Sequence, residues 1–134
     1  MASIIREFTI ESEVSRVWDA LRDFDHVHER VAPGFVVQCE PESGARRLTF
    51  ANGLVAREAL VGIDEEARRV AYSVVGGQAS HHNASAQVFD LGHGRTRFVW
   101  ITDVLPDEHA RPIAAMMDQG VLVMQKALAS AGTR

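Results

Sequence analysis

From Phe35 to Leu105 apolar and polar residues alternate with a period of two. That period puts successive side chains on opposite faces of a strand with one face buried. Strands are expected at 35–40, 45–51, 54–63, 68–75, 80–90 and 95–104. Each gap carries turn chemistry: Pro41 to Gly44, Asn52-Gly53, Asp64-Glu65-Glu66, Gly76-Gly77 and Gly92-His93-Gly94. Connections this short join antiparallel neighbours, so the segment reads as a meander. At the start, Ile4, Arg6, Phe8 and Ile10 alternate with Ile5, Glu7 and Thr9 and predict one further strand.

Two stretches are helical in period. Val14, Val17, Trp18 and Leu21 follow Ser12, the expected N-cap, with Glu13 in the first turn. A short helix or turn follows from Asp23 to Val31, and Pro33-Gly34 breaks it. Near the end, Ile113, Met116, Met117, Gly120, Val121, Met124 and Leu128 form a broad apolar stripe. It predicts a helix over 112–131, roughly 30 Å long, with Pro112 at its start. The order is strand, two helices, six strands, long helix. An apolar sheet face needs a cover, and the last helix is the long amphipathic element available for it.

Inward-facing positions follow from the alternation. Leu48 and Phe50 oppose Arg47 and Thr49; Val70, Tyr72 and Val74 oppose Arg69, Ala71 and Ser73. His82, Ala84, Ala86 and Val88 oppose His81, Asn83, Ser85 and Gln87; Phe98, Trp100 and Thr102 oppose Arg97, Val99, Ile101 and Asp103. The inward face is mostly apolar with isolated polar groups, Glu58, Tyr72, His82 and Thr102. That composition suits a ligand pocket better than a solid core.

Composition narrows the partners. The 134 residues are 46% hydrophobic and 24% charged, with a formal net charge of −4, as expected of one globular domain. No basic stripe is present, which argues against nucleic acid. Lys126 is the only lysine and thus the only Schiff-base candidate. Cys39 is alone, which excludes an internal disulfide and fits a reducing compartment. With no basic-then-apolar leader and no 18-residue apolar run, a cytoplasmic protein without membrane insertion is expected. His26-x-His28 with Asp25 and Glu29, and the pair His81-His82, match no zinc spacing, so no metal is expected. No nucleotide or nucleophile motif is present, and no cofactor is expected.

Several segments carry a family resemblance: Val17-Trp18-Asp19-Ala20-Leu21, Glu58 followed by Asp64, Arg69 to Tyr72, Val75-Gly76-Gly77, and Trp100 to Pro106. With the element order, they resemble the START-like (SRPBCC) superfamily, of the polyketide cyclase/dehydrase type. Plant abscisic-acid receptors and the birch-pollen allergen are related in pattern. The resemblance implies an α+β helix-grip fold: a seven-stranded curved antiparallel sheet, two short helices and a long C-terminal helix over the concave face. It also implies a hydrophobic cavity between helix and sheet. Its expected lining is Leu48, Phe50, Leu54, Glu58, Tyr72, Val74, His82, Ala84, Phe98, Trp100, Thr102, Met116, Met117, Gly120 and Met124. Ala51-Asn52-Gly53-Leu54 is similar to a shortened gate loop, and Gly76-Gly77-Gln78 to a latch loop.

Three functions are compatible with these residues. The first is binding of a small hydrophobic ligand: a polyketide, aromatic, isoprenoid or lipid. The second is a polyketide cyclase or dehydratase with Glu58 or His82 as acid/base and Tyr72 as oxyanion donor. The third is an interaction module, with Val99 and Ile101 forming an outer apolar strip that a homodimer would bury. The individual residues carry alternatives too. Glu58 is a ligand anchor, a general base, or a mouth residue paired with an arginine. His82 is an acid/base group or a structural histidine near the mouth. Gly120 either leaves room in the cavity or permits close helix–sheet packing.

Overall fold

The computed structural model describes residues 2–132. Seven strands form one sheet: β1 (Ala2–Ile10), β2 (Val36–Glu42), β3 (Ala45–Phe50), β4 (Val55–Asp64), β5 (Arg69–Val75), β6 (His81–Gly92) and β7 (Arg95–Leu105). Every pairing is antiparallel, in the order β1-β7-β6-β5-β4-β3-β2. The meander therefore runs as expected from β2 to β7, and β1 closes it by pairing with β7. The turn before β4 shows its chemistry directly: Gly53 has φ +89°, and the Leu54 amide donates to Asn52 Oδ1 at 3.0 Å. Register irregularities between Val36 and Gln38 in β2, and between Leu60 and Gly62 in β4, bend these strands.

The helices are α1 (Val14–Leu21), α2 (Val27–Arg30) and α3 (Ala110–Gly132). Two expectations about their ends are corrected. Glu13, not Ser12, precedes α1, and no side chain caps it. The Ser12 hydroxyl is buried without a partner, while its carbonyl accepts from Thr96 Oγ1 at 2.8 Å. The last helix starts at Ala110 rather than 112. Pro112 is then the third residue, where an amide has no intrahelical acceptor and its loss costs nothing.

α3 lies against β1, one edge of the sheet. Arg6 donates to Asp118 Oδ1 at 2.5 Å, and Gln125 donates to the Thr9 carbonyl at 3.0 Å. Among its described residues Met117, Met124 and Leu128 have buried side chains. Beneath its C-terminal half sits the solid core, with Phe8 and Phe98 stacked at 4.7 Å beside Ile10, Val17 and Val88. The N-terminal half of α3 faces a cavity, which Ile113, Met116 and Met117 line. No helix among the described residues is long and apolar enough to cross a membrane.

Candidate functional site

The space under α3 is a cavity of about 490 Å³. Three properties of the sequence leave it open. Ala56 of β4 and Ala84 and Ala86 of β6 are small residues on the inward face. Met116, Met117 and Met124 reach down from α3, and methionine lines irregular space without fixing its shape. On the far side Leu21, Val27, Val31, Ala32 and Phe35 form a wall from the α1–α2 segment.

One end of the sheet holds the mouth. Arg57 pairs with Val75, and His81 pairs with Leu105. These pairings gather the 51–54 turn, the 76–80 loop and the start of α3 at the same end. Leu54 and Val55, both 56% exposed, line the cavity there with Gly77, Gln78, His109 and Ile113. Leu54 of the first of these segments and Gly77 and Gln78 of the second thus line the same end of the cavity.

The expected lining comes from strand parity, from the helical stripe over 112–131 and, for Leu54, from the family resemblance. Leu48, Phe50, Leu54, Glu58, Tyr72, Val74, His82, Ala84, Phe98, Trp100, Thr102, Met116, Met117 and Met124 all line the cavity. Gly120 is the correction. A Cβ there would lie 3.1 Å from Phe35 Cε2 and 3.2 Å from Trp100 Cζ3. Its lack of a side chain lets α3 approach those two rings, so it serves close packing and adds no cavity room.

The inner polar device contains a residue that sequence reading passed over. Arg46 and Glu58 are cross-strand partners on β3 and β4, and their side chains are each 8% exposed. Arg46 Nε and Nη2 both reach Glu58 Oε1, at 2.8 and 2.7 Å, and Nη1 donates to the Phe24 carbonyl at 2.8 Å. The guanidinium carbon lies 3.8 Å from the Phe24 ring centroid and 5.3 Å from that of Tyr72. A buried carboxylate needs such a partner, and the planar guanidinium supplies both donors and a stacking face. No donor among the described residues reaches Glu58 Oε2. Arg46 shares strand parity with Leu48 and Phe50; that parity was the available signal.

Trp100 Nε1 donates to the Tyr72 hydroxyl at 3.1 Å. The Tyr72 proton is given to no acceptor among the described residues. Burial, with the Glu58 charge adding to it, pushes this phenol above its ordinary range, so it stays protonated and acts as a donor. His82 sits at the mouth. Burial, then the charges of His81 and His109, hold its pKa below the ordinary 6.5. Among the described residues no group of three or more His, Cys, Asp or Glu could hold a metal. His26 instead bonds Asp23 at 2.7 Å, away from the cavity lining.

The sequence profile of a family described as polyketide cyclase / dehydrase and lipid transport matches residues 1–131. No curated protein matches the chain. Among solved structures, a Thermobifida fusca protein is 26% identical, with a TM-score of 0.76 over 96% of this chain and 91% of its own. A START superfamily protein from Mycobacterium smegmatis is 13% identical, with a TM-score of 0.72 over 97% of this chain and 96% of its own. An aromatase/cyclase from a Streptomyces strain is 19% identical, with a TM-score of 0.73 over 99% of this chain and 94% of its own. At such identities the last two establish the shared fold alone.

Proposed function

The chain belongs to the polyketide cyclase / dehydrase and lipid transport family, and from that membership we propose that it binds a small, largely apolar molecule between α3 and the sheet. The observation that carries this reading is the cavity of about 490 Å³ with its apolar wall and few polar groups. Its size falls in the range of pockets that enclose small organic ligands. A sealed dry void of that volume would cost on the order of 10 kcal/mol, at about 24 cal/mol per Å³. That rivals the whole stability of a domain, so the space is one that solvent or ligand fills through the mouth. The ligand class is an apolar polyketide, aromatic, isoprenoid or lipid.

Glu58 acts in this reading as an anchor. One oxygen is committed to Arg46, and the other accepts from a ligand hydroxyl. The Tyr72 proton supports the same polar end. Calorimetric titration with the neutral apolar probe N-phenyl-1-naphthylamine tests the reading. Ala84 is buried and faces the cavity. Ala84→Leu adds carbon to that space and lowers affinity at least about tenfold, the effect of losing ~1.4 kcal/mol, while circular dichroism stays native. Equal affinity in a folded Ala84→Leu variant would overturn it.

A cyclase or dehydratase is the second reading, favoured by the ungiven Tyr72 proton and by a His82 held neutral. His82 or Glu58 then removes a proton next to a carbonyl, and Tyr72 donates to the developing oxyanion. Deuterium exchange into the methyl group of acetophenone reports that step. Acceleration that is lost in Tyr72→Phe supports catalysis; no acceleration by the wild type removes it.

A further inference from the structure

The mouth carries a group of imidazoles that the inner polar device does not use. His82 on β6 and His109 just before α3 both line the cavity. Neither ring makes a hydrogen bond or an ion pair among the described residues. They are the titratable side chains of the lining apart from Arg46, Glu58 and Tyr72, and Arg46 and Glu58 neutralise each other.

Building on the cavity-binding reading above, we propose that the mouth receives the anionic end of the ligand. The ligand is then an organic acid: an apolar body lies against the methionines and alanines, and its oxyanion sits between the rings of His82 and His109. Protonated on both nitrogens, each imidazole donates a charge-assisted hydrogen bond to that oxyanion.

The surroundings favour a negative guest. The cross-strand partner of His82 on β7 is Val104, and the inward neighbour on β5 is Val74. His81 is next along β6 on the opposite face. Asp103 faces outward and accepts from Ser3 Oγ at 2.6 Å. Asp107, Glu108 and Arg111 flank His109 and are exposed to solvent. The carboxylate of the lining, Glu58, is already held by Arg46. Burial, then the charges of His81 and His109, disfavour the charged form of His82, and an anion at the mouth offsets that cost.

A matched pair of dyes tests this. 8-Anilinonaphthalene-1-sulfonate stays ionised across the range, and N-phenyl-1-naphthylamine has the same apolar body without the sulfonate. The readout is the ratio of their affinities on the full chain from about pH 8 to about pH 5.5, the window of histidine titration. An anion that raises one histidine pKa by about one unit tightens binding about tenfold as the pH falls. The wild type shows that tightening for the sulfonate only, and the His82→Gln/His109→Gln variant loses it. A ratio that is flat with pH, or a slope that survives in the double variant, overturns the anion site while leaving the cavity reading intact. If neither dye binds, the cavity reading fails, and this inference fails with it.

Discussion

Arg46 gives two donors to one oxygen of Glu58 and leaves the other oxygen without a donor among the described residues. The pair neutralises a buried charge and leaves that oxygen in the cavity lining. Removing one partner strands the other. Arg46→Met should cost about 3–5 kcal/mol in urea unfolding. The double variant Arg46→Met/Glu58→Leu should regain much of it, because no charge remains buried. A single variant as stable as the wild type would show that the pair is not buried in solution.

Tyr72 accepts from Trp100, and its own proton meets no acceptor among the described residues. Tyr72→Phe should lower stability by about 1 kcal/mol, the usual worth of one hydrogen bond. It should also remove any preference for 1-naphthol over naphthalene. If competition titrations find the same preference in the variant, the hydroxyl does not meet the ligand.

Gly120→Leu probes close packing. The added side chain must displace Phe35 or Trp100, which a Cβ alone would already crowd. Overpacking of this kind costs about 1–3 kcal/mol. Both rings line the cavity, so their displacement should weaken dye binding and shift the tryptophan emission. A variant with native stability and unchanged emission would contradict that packing.

The folded pKa of His82 lies below its unfolded value, since burial and its histidine neighbours disfavour the charge. The unfolded chain therefore binds more protons as the pH falls below about 6.5, and stability drops. His82→Gln should shrink the difference in Tm between about pH 7.5 and about pH 5.5. His26 works in the opposite sense: its contact with Asp23 raises its pKa and favours folding at the acid end. An unchanged difference in His82→Gln would place that ring in solvent.

Much of this fold was legible because alternation and turn residues coincide from β2 to β7. Leu48, Tyr72, Ala84 and Phe98 were placed inward by parity alone. What parity does not encode is emptiness. Gly120 has the same inward position whether it borders a void or a ring, and only the approach of Phe35 and Trp100 decides. Arg46 was passed over because a charged residue between Ala45 and Arg47 reads as solvated. The wall formed by Leu21, Val27, Val31, Ala32 and Phe35 depends on how α1 and α2 fold back against the sheet, and local period carries no information about that. Pro112 reads as a boundary, but a first-turn proline is tolerated, so α3 begins two residues earlier, at Ala110.

Methionine methyl NMR tests most directly whether an apolar guest lies beneath α3. Met116, Met117 and Met124 line the cavity, whereas the groove between α3 and the α1–α2 segment is lined by Leu122, Val123 and Ala127 with Arg16 and Arg30. With methyl-labelled methionine and saturating N-phenyl-1-naphthylamine, nuclear Overhauser contacts should run from the naphthalene protons to all three of these methionine methyls. Bound dye with no contact to any of them would contradict the account.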